Sequence, residues 1–399
     1  MFVAALATAA IGFALAQDPP PQPAAPQPAP PAQALSDALP TPPPPAVTGT
    51  AWLLMDYASG QILAGENVDQ RVEPASITKV LTSYVIAAEM KAGKVKPDDQ
   101  VMMSENAWRK GGAGTDGSYS GFPVNQTAPL REMEKGMVVQ SGNDAAIALA
   151  EHVAGSEDAF AALMNAYAQR IGMKNSHFVN SHGLSDPEHY STPRDLALLG
   201  RAMVRDFPEE YAYNKIREFT VGPITQRNRN LLLWRDPSVD GIKTGHTQSA
   251  GYCLATSAKR DGMRLVSIVF GTASMRARED ASAALLNYGF TFFETVKVKG
   301  RGEKVLAPRL YKGAEEYVAI APRSDVYVTV GRGDAALVRT RATAQEPLVA
   351  PASTGKALGE MTVSVGTESV ARVPLYPVKD VPEGGWWTRM IDGVALMWR

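Results

Sequence analysis

The sequence has one cysteine in 399 residues, which excludes an intramolecular disulfide. Its five histidines form neither an H-E-x-x-H pair nor a Cys/His cluster, so no metal site is expected, and no cofactor either. Charge of one sign is also missing. Forty basic residues stand against forty-one acidic ones, leaving no basic field to hold nucleic acid, and no nucleic-acid partner is expected. The apolar N-terminal run Phe2 to Leu15 lacks a preceding Lys or Arg, which suggests that the true start lies further upstream. It still ends in Ala14-Leu15-Ala16 before Gln17, the small-residue pattern of a secretory cleavage site, so residues 1–16 are predicted to be a signal peptide. Residues 17–46 are dominated by Pro, Ala and Gln, a composition that buries no core and reads as an extended linker.

What is present centres on Ser76-Ile77-Thr78-Lys79, directly after Pro74-Ala75 and at the head of an apolar run through Val80, Leu81, Tyr84, Val85 and Ala88. That spacing predicts a helix with Ser76 in its first turn, where free N–H groups and the positive dipole end favour negative charge on the serine oxygen. Three residues on, Lys79 shares a helix face with Ser76, and a neutral lysine amine there can take the hydroxyl proton. A second S-x-x-K, Ser353 to Lys356, lies in a polar Pro/Gly-flanked stretch and reads as a surface loop.

Two further motifs follow in order. Ser141-Gly142-Asn143 leads into a helix, whereas the competing Ser104-Glu105-Asn106 precedes a Gly-rich stretch, and Lys243-Thr244-Gly245-His246 occurs once. Elsewhere, short apolar runs at 51–56 and 61–64 read as a hairpin. Residues 111–121 read as a mobile loop bordering Ser76 and Ser141. Helices are expected at 143–153, 157–171, from the capped start Thr192-Pro193-Arg194-Asp195 through Val204, and at 278–293. Arg260-Asp261-Gly262 separates two apolar runs as an antiparallel hairpin, and Cys253 within the first reads as a packed, inert thiol. Strands, then helices, then strands and a helix predict an α+β domain with helices packed on an antiparallel sheet. Alternating runs such as 326–330 and 361–365 predict a small all-β domain after it.

With these motifs in place the chain resembles the serine D-Ala-D-Ala carboxypeptidases, the low-molecular-mass penicillin-binding proteins related to class A β-lactamases. The resemblance extends to Ser181-His182-Gly183-Leu184, Arg229-Asn230, Leu232-Leu233-Trp234, Val239-Asp240-Gly241-Ile242, Ala250-Gly251-Tyr252, Arg278-Glu279 and the run from Leu285 to Phe290. It implies a penicillin-binding/β-lactamase-like catalytic domain over 47–296 and a small β-rich domain over 297–384. It also implies an acyl-serine mechanism. Ser76 is then the nucleophile, Lys79 the proton acceptor, and Ser141 and Asn143 bridge the two lysines. Lys243 and Thr244 meet the substrate's terminal carboxylate beside Gly245, and the backbone N–H groups of Ser76 and His246 hold the oxyanion. By family position Arg229 or Arg278 supplies a second cation, with a structural ion pair as the open alternative for each. The expected partners are peptidoglycan stem peptides and β-lactam antibiotics. Neither E-x-x-L-N nor a small residue after K-T-G is present, which favours the carboxypeptidase branch. A β-lactam-hydrolysing enzyme and a weakly catalytic wall-binding protein remain as alternatives.

Residues 385–399 are too few to cross a bilayer, since the 14 residues from Trp386 to Arg399 as a helix reach about 21 Å against a core of about 30 Å. At about 100° per residue, Trp386, Trp387, Met390, Ile391, Val394, Met397 and Trp398 share an arc of roughly 140°, with Leu396 off it. The segment is expected to lie on a membrane surface as an amphipathic anchor, placing the protein in the periplasm on the outer face of the inner membrane. A helix docked on the protein itself is the alternative.

Overall fold

A computed structural model describes residues 41–115 and 117–398. The expected signal peptide, most of the Pro-rich linker and Arg399 lie outside the described residues. The chain is built on a five-stranded antiparallel sheet in the order Ile62–Glu66, Ala51–Asp56, Met263–Thr272, Gly251–Arg260, Val239–Thr247. Alternation along the strands supplies two cores. Leu53, Met55, Ala255 and Ile268 pack against the helical side with Leu81, Val85 and Ile147, while Trp52, Leu54, Leu254 and Val269 pack with Leu285 and Leu286 of helix Met275–Phe292. The Asp261-Gly262 turn has positive φ at both residues, 47° and 85°, as a twisted two-residue hairpin requires.

Helices Thr78–Lys91, Leu130–Val139, Asn143–Ala154, Glu157–Ile171 and Pro193–Asp206 fill the other side. The last starts at Thr192, whose hydroxyl accepts from the Asp195 N–H at 3.2 Å. Among the described residues, two helices longer than a single turn escape the sequence reading. Glu105–Gly111 is capped by Ser104, which accepts from the Ala107 N–H at 3.0 Å, so the competing S-x-N is a helix cap. Leu130–Val139 carries polar Arg131, Glu132 and Lys135 among its apolar residues, which blurs its periodicity in the sequence.

Helix Met275–Phe292 passes without a break into strand Phe293–Lys299, which pairs with Val326–Gly331. A four-stranded sheet of Ile320–Ala321, Glu368–Pro377, Gly359–Val365 and Val338–Ala344 completes an all-β lobe around Val328, Met361, Val363 and Leu375. Polar contacts join it to the first hairpin. Thr295 donates to the buried Asp56 carboxylate at 2.6 Å, and the Thr329 N–H donates to Gln61 Oε1 at 2.5 Å.

The terminal helix Trp386–Met397 docks by its polar side. Asp392, 6% exposed, accepts from Arg309 at 3.3 Å and from the Lys312 N–H at 2.5 Å. Trp387, Ile391, Val394 and Met397 face outward at 66%, 61%, 55% and 85% exposure. Among the described residues no helix is long and apolar enough to cross a membrane.

One buried carboxyl in the helical core lacks a cation. Glu134 accepts from the Ser83 hydroxyl while its second oxygen has no partner, and burial pushes its pKa up to about 8 against the pull of that hydrogen bond. A carboxyl raised from 4.5 to about 8 contributes stability that is present below its unfolded pKa and lost as pH rises through about 8. Glu134→Gln is expected to leave the melting temperature unchanged near pH 5 and to raise it relative to the parent near pH 9, measured by calorimetry across that range.

Candidate active site

Pro74 turns the chain into a one-turn 3-10 segment, Ala75–Ile77, which runs on into the α-helix Thr78–Lys91. Ser76 thus sits on a 3-10 lead-in rather than in the first α-helical turn. Ala75 has a φ of 48°, a left-handed conformation that a residue with a Cβ adopts only when its surroundings hold it. Two glycines do so. A Cβ on Gly245 would lie 3.2 Å from the Ala75 Cβ, and one on Gly183 would collide with the Ala75 carbonyl. The K-T-G strand and the 181–184 loop therefore close on the serine turn from both sides.

Beneath Ser76, Lys79 is 1% exposed. Its Nζ donates to Ser76 Oγ at 3.1 Å, to Asn143 Oδ1 at 2.7 Å and to the His182 carbonyl at 2.7 Å. Burial brings its pKa down to about 7, assisted by the Arg229 charge and opposed by Asp144. At neutral pH a large fraction is unprotonated, with a lone pair beside the serine hydroxyl.

Lys243, also buried, donates to Ser141 Oγ at 2.9 Å and to the Thr244 carbonyl at 3.2 Å. Burial and the charges of Lys79, Arg229 and Arg278 hold its pKa well below the ordinary value. Ser141 has a φ of 64° and does not cap the helix that follows; Gly142 occupies that position without a side-chain bond. Its hydroxyl is left for Lys243, while Asn143 serves Lys79.

These groups border a cleft of about 240 Å³, lined by Ser76, Ser141, Asn143, Arg229, Arg278 and the stretch Thr244–His246. His246 is exposed and its ring lies 4.2 Å from that of Tyr252. Arg278, 2% exposed, donates to the carbonyls of Gly245 at 3.1 Å, Cys253 at 3.4 Å and Arg229 at 3.4 Å, and its Nε has no partner. Among the described residues neither Arg278 nor Arg229 forms a salt bridge, while Glu279 pairs with Arg235 at 3.5 Å. The structural ion pair that sequence left open for the two arginines is not what holds them.

Of the other wall residues, Gly117 and Ser118 lie in the 111–121 stretch expected to border the site and Leu184 in the 181–184 run, while Met275 carries no signal in the sequence motifs. Within the 111–121 stretch, expected to be mobile, Ser118 and Ser120 are anchored. Ser118 accepts from the Asn143 N–H at 2.7 Å, and the buried Asp144 accepts from the N–H and hydroxyl of Ser120, both at 2.8 Å. A carboxylate in the first turn right after S-x-N was the available clue to that anchor. The histidines have protein partners: His189 Nε2 lies 2.8 Å from Thr78 Oγ1, and His182 Nε2 lies 3.3 Å from Glu157. Burial drives the His189 and His182 pKa values down to about 4 and about 3, so both are neutral at pH 7. Cys253 is buried with its pKa pushed up to about 12, as an inert thiol requires. Ser353 to Lys356 form a surface turn.

Residues 38–274 match the family model for D-alanyl-D-alanine carboxypeptidase, Peptidase S11, and residues 293–383 match that for the penicillin-binding protein 5 C-terminal domain. The chain is 42% identical over 356 residues to the D-alanyl-D-alanine carboxypeptidase DacC of Escherichia coli, covering 88% of this chain and 89% of that protein. To DacF of Bacillus subtilis it is 31% identical, over 84% of this chain and 86% of the relative. Penicillin-binding protein 5 from Haemophilus influenzae has a similar solved structure, with a TM-score of 0.80 and 40% identity, covering 85% of this chain and 99% of that one.

Proposed function

The chain belongs to the Peptidase S11 family of D-alanyl-D-alanine carboxypeptidases, and from that premise we propose how its cleft removes the terminal D-alanine of peptidoglycan stem pentapeptides. Its activity is that of a serine-type D-alanyl-D-alanine carboxypeptidase. The observation that carries the mechanism is the Lys79 amine, 3.1 Å from Ser76 Oγ and poised at a pKa of about 7. Ser76 Oγ bonds to the carbonyl carbon of the penultimate residue as its proton passes to Lys79. The C–N bond then breaks and that proton leaves on the amine of D-alanine. Water next attacks the acyl-serine ester, returning the proton to Ser76 and releasing the shortened peptide.

The backbone N–H groups of Ser76 and His246 hold the oxyanion, as donors aimed at developing charge. Ser141 and Asn143 each keep one lysine in place. Lys243, Thr244 and the unpaired arginines 229 and 278 receive the substrate's terminal carboxylate, for which a guanidinium fork is well matched. A β-lactam enters the same acylation step and stays as a covalent adduct. Residues 47–296 form the catalytic domain and 297–384 a spacer that carries it.

The terminal helix supports attachment to a membrane surface. It is docked by Asp392 with its tryptophans turned outward, and aromatic residues of that kind suit the headgroup boundary. We place the protein in the periplasm, held peripherally on the outer face of the inner membrane by residues 385–399.

Four measurements test this. Ser76→Ala is expected to abolish both D-alanine release and labelling by fluorescent penicillin, and the acylation rate of the parent should rise with pH through about 7, as Lys79 loses its proton. A flat profile between about pH 6 and pH 8 would exclude Lys79 as the base. Arg278→Ala and Arg229→Ala should each weaken turnover of free-carboxylate peptides by about 1.5–3 kcal/mol more than that of C-terminally amidated ones. Finally, a chain ending at Glu383 should fold, cleave small peptides and fail to float with liposomes that retain the longer mature chain; equal flotation would remove the anchor.

A further inference from the structure

We propose that Glu73 is a positioning residue for acylation, its carboxylate setting the separation between the Ser76 turn and the opposite wall at His246. The inference rests on the reading of Ser76 as nucleophile and of the His246 N–H as an oxyanion donor. A single atom, Glu73 Oε2, accepts three hydroxyl hydrogen bonds: from Ser185 at 2.7 Å, from Ser249 at 2.7 Å and from Thr247 at 3.1 Å. The three donors come from the two segments that flank the cleft. Ser185 follows the 181–184 loop, whose Gly183 abuts Ala75 and whose His182 carbonyl holds Lys79. Thr247 directly follows His246, and its hydroxyl also accepts from the Ala250 N–H at 3.0 Å, fixing the turn that ends the K-T-G strand. Glu73 itself stands just before Pro74, at the entry to the Ser76 turn.

Geometry gives this knot its leverage. Gly245 already touches that turn, with a Cβ there lying 3.1 Å from the Pro74 carbonyl, so the turn and the strand meet backbone to backbone. Nothing in that contact fixes how far His246 swings away at the strand end. Pairing with Tyr252 and Gly251 holds His246 and Thr247 to the sheet, and the hydroxyls gathered on Glu73 tie that strand end to the Ser76 turn as well. A carboxylate suits the position because it is acceptor-only and can take several donors at once, whereas an amide offers one oxygen and would aim two N–H donors at the hydroxyls. Charge-assisted bonds are also the stronger ones. Oxyanion donors act by being preorganised, so loss of the constraint should fall on the chemical step more than on substrate binding.

The test compares Glu73→Ala, Glu73→Asp and the double substitution Ser185→Ala with Ser249→Ala in the otherwise intact mature chain. Readouts are kcat and KM for a D-Ala-D-Ala tripeptide, the acylation rate with fluorescent penicillin, and the melting temperature. Glu73→Ala is expected to lower kcat and acylation about 10- to 100-fold with KM changed by no more than about threefold, the signature of lost orientation. Its melting temperature should stay near the parent's, because the side chain is only half-buried. Glu73→Asp should recover part of the rate. The double substitution should reproduce much of the loss, and adding Glu73→Ala to it should cost less than Glu73→Ala costs alone, since only the Thr247 bond is then left to lose, as required of groups that act as one unit. Unchanged kcat in Glu73→Ala, additive losses, or a fall in rate that tracks a fall in melting temperature would each overturn the proposal. Labelling of Ser76 in the parent, mapped by mass spectrometry, separates this outcome from failure of the nucleophile assignment, since a label on another residue would remove the reading beneath it.

Discussion

Everything in the cleft depends on a lysine amine taken out of water. Lys79 has lost its hydration to burial, and the three oxygens around its Nζ replace only part of it. A buried ammonium with no carboxylate within bonding reach is costly, and the cost is relieved by giving up the proton near neutral pH. The Arg229 guanidinium sharpens the effect, because a nearby cation makes an ammonium easier to deprotonate, and Lys79 acts in the same way on Lys243. The arginines that border the cleft, Arg229 and Arg278, form no salt bridge among the described residues.

Holding a serine directly over that amine requires backbone in unusual conformations. Ala75 and Ser141 both have positive φ, and each stands immediately beside the chemistry. Such residues persist where packing over-determines them. Gly183 and Gly245 let neighbouring backbone approach Ala75 to within van der Waals contact, and Gly142 leaves space that a Cβ would fill against Ser120. Strain at Ala75 and Ser141 is therefore balanced by close packing from glycines whose own lack of a side chain is the enabling feature.

The far end of the molecule uses the opposite arrangement. The last helix turns its polar side toward the β-rich lobe and leaves tryptophans, Ile391 and Met397 in contact with solvent. Hydrophobic burial would ordinarily reverse this orientation. Asp392, bound to Arg309 and the Lys312 N–H, fixes it, and half-buried Leu396 is the apolar residue that turns inward instead. Sequence periodicity posed docking and membrane contact as alternatives, yet the helix docks through one face while leaving the other uncovered.

The sequence alone determined features that depend on local chemistry. Three short motifs in order, the D-G turn between apolar runs, the Thr192 cap and the periodicities of Glu157–Ile171 and Thr78–Lys91 are encoded by neighbouring residues. So are the α+β class and the all-β lobe that follows. Other features were hidden because their causes are distant in sequence. The helix Glu105–Gly111 is short and its Ser104 resembled a motif; the 111–121 segment looked free because Asp144, which holds Ser120, belongs to another element. The roles left open for Arg278 turned on which acids lie near it, and the structure offers it carbonyls instead. Tertiary structure alone decided the protonation of Lys79. A residue's identity fixes its ordinary pKa, whereas the loss of water around its amine comes from the Ser76 turn, the 181–184 loop and the Asn143 helix, three segments that only folding brings together.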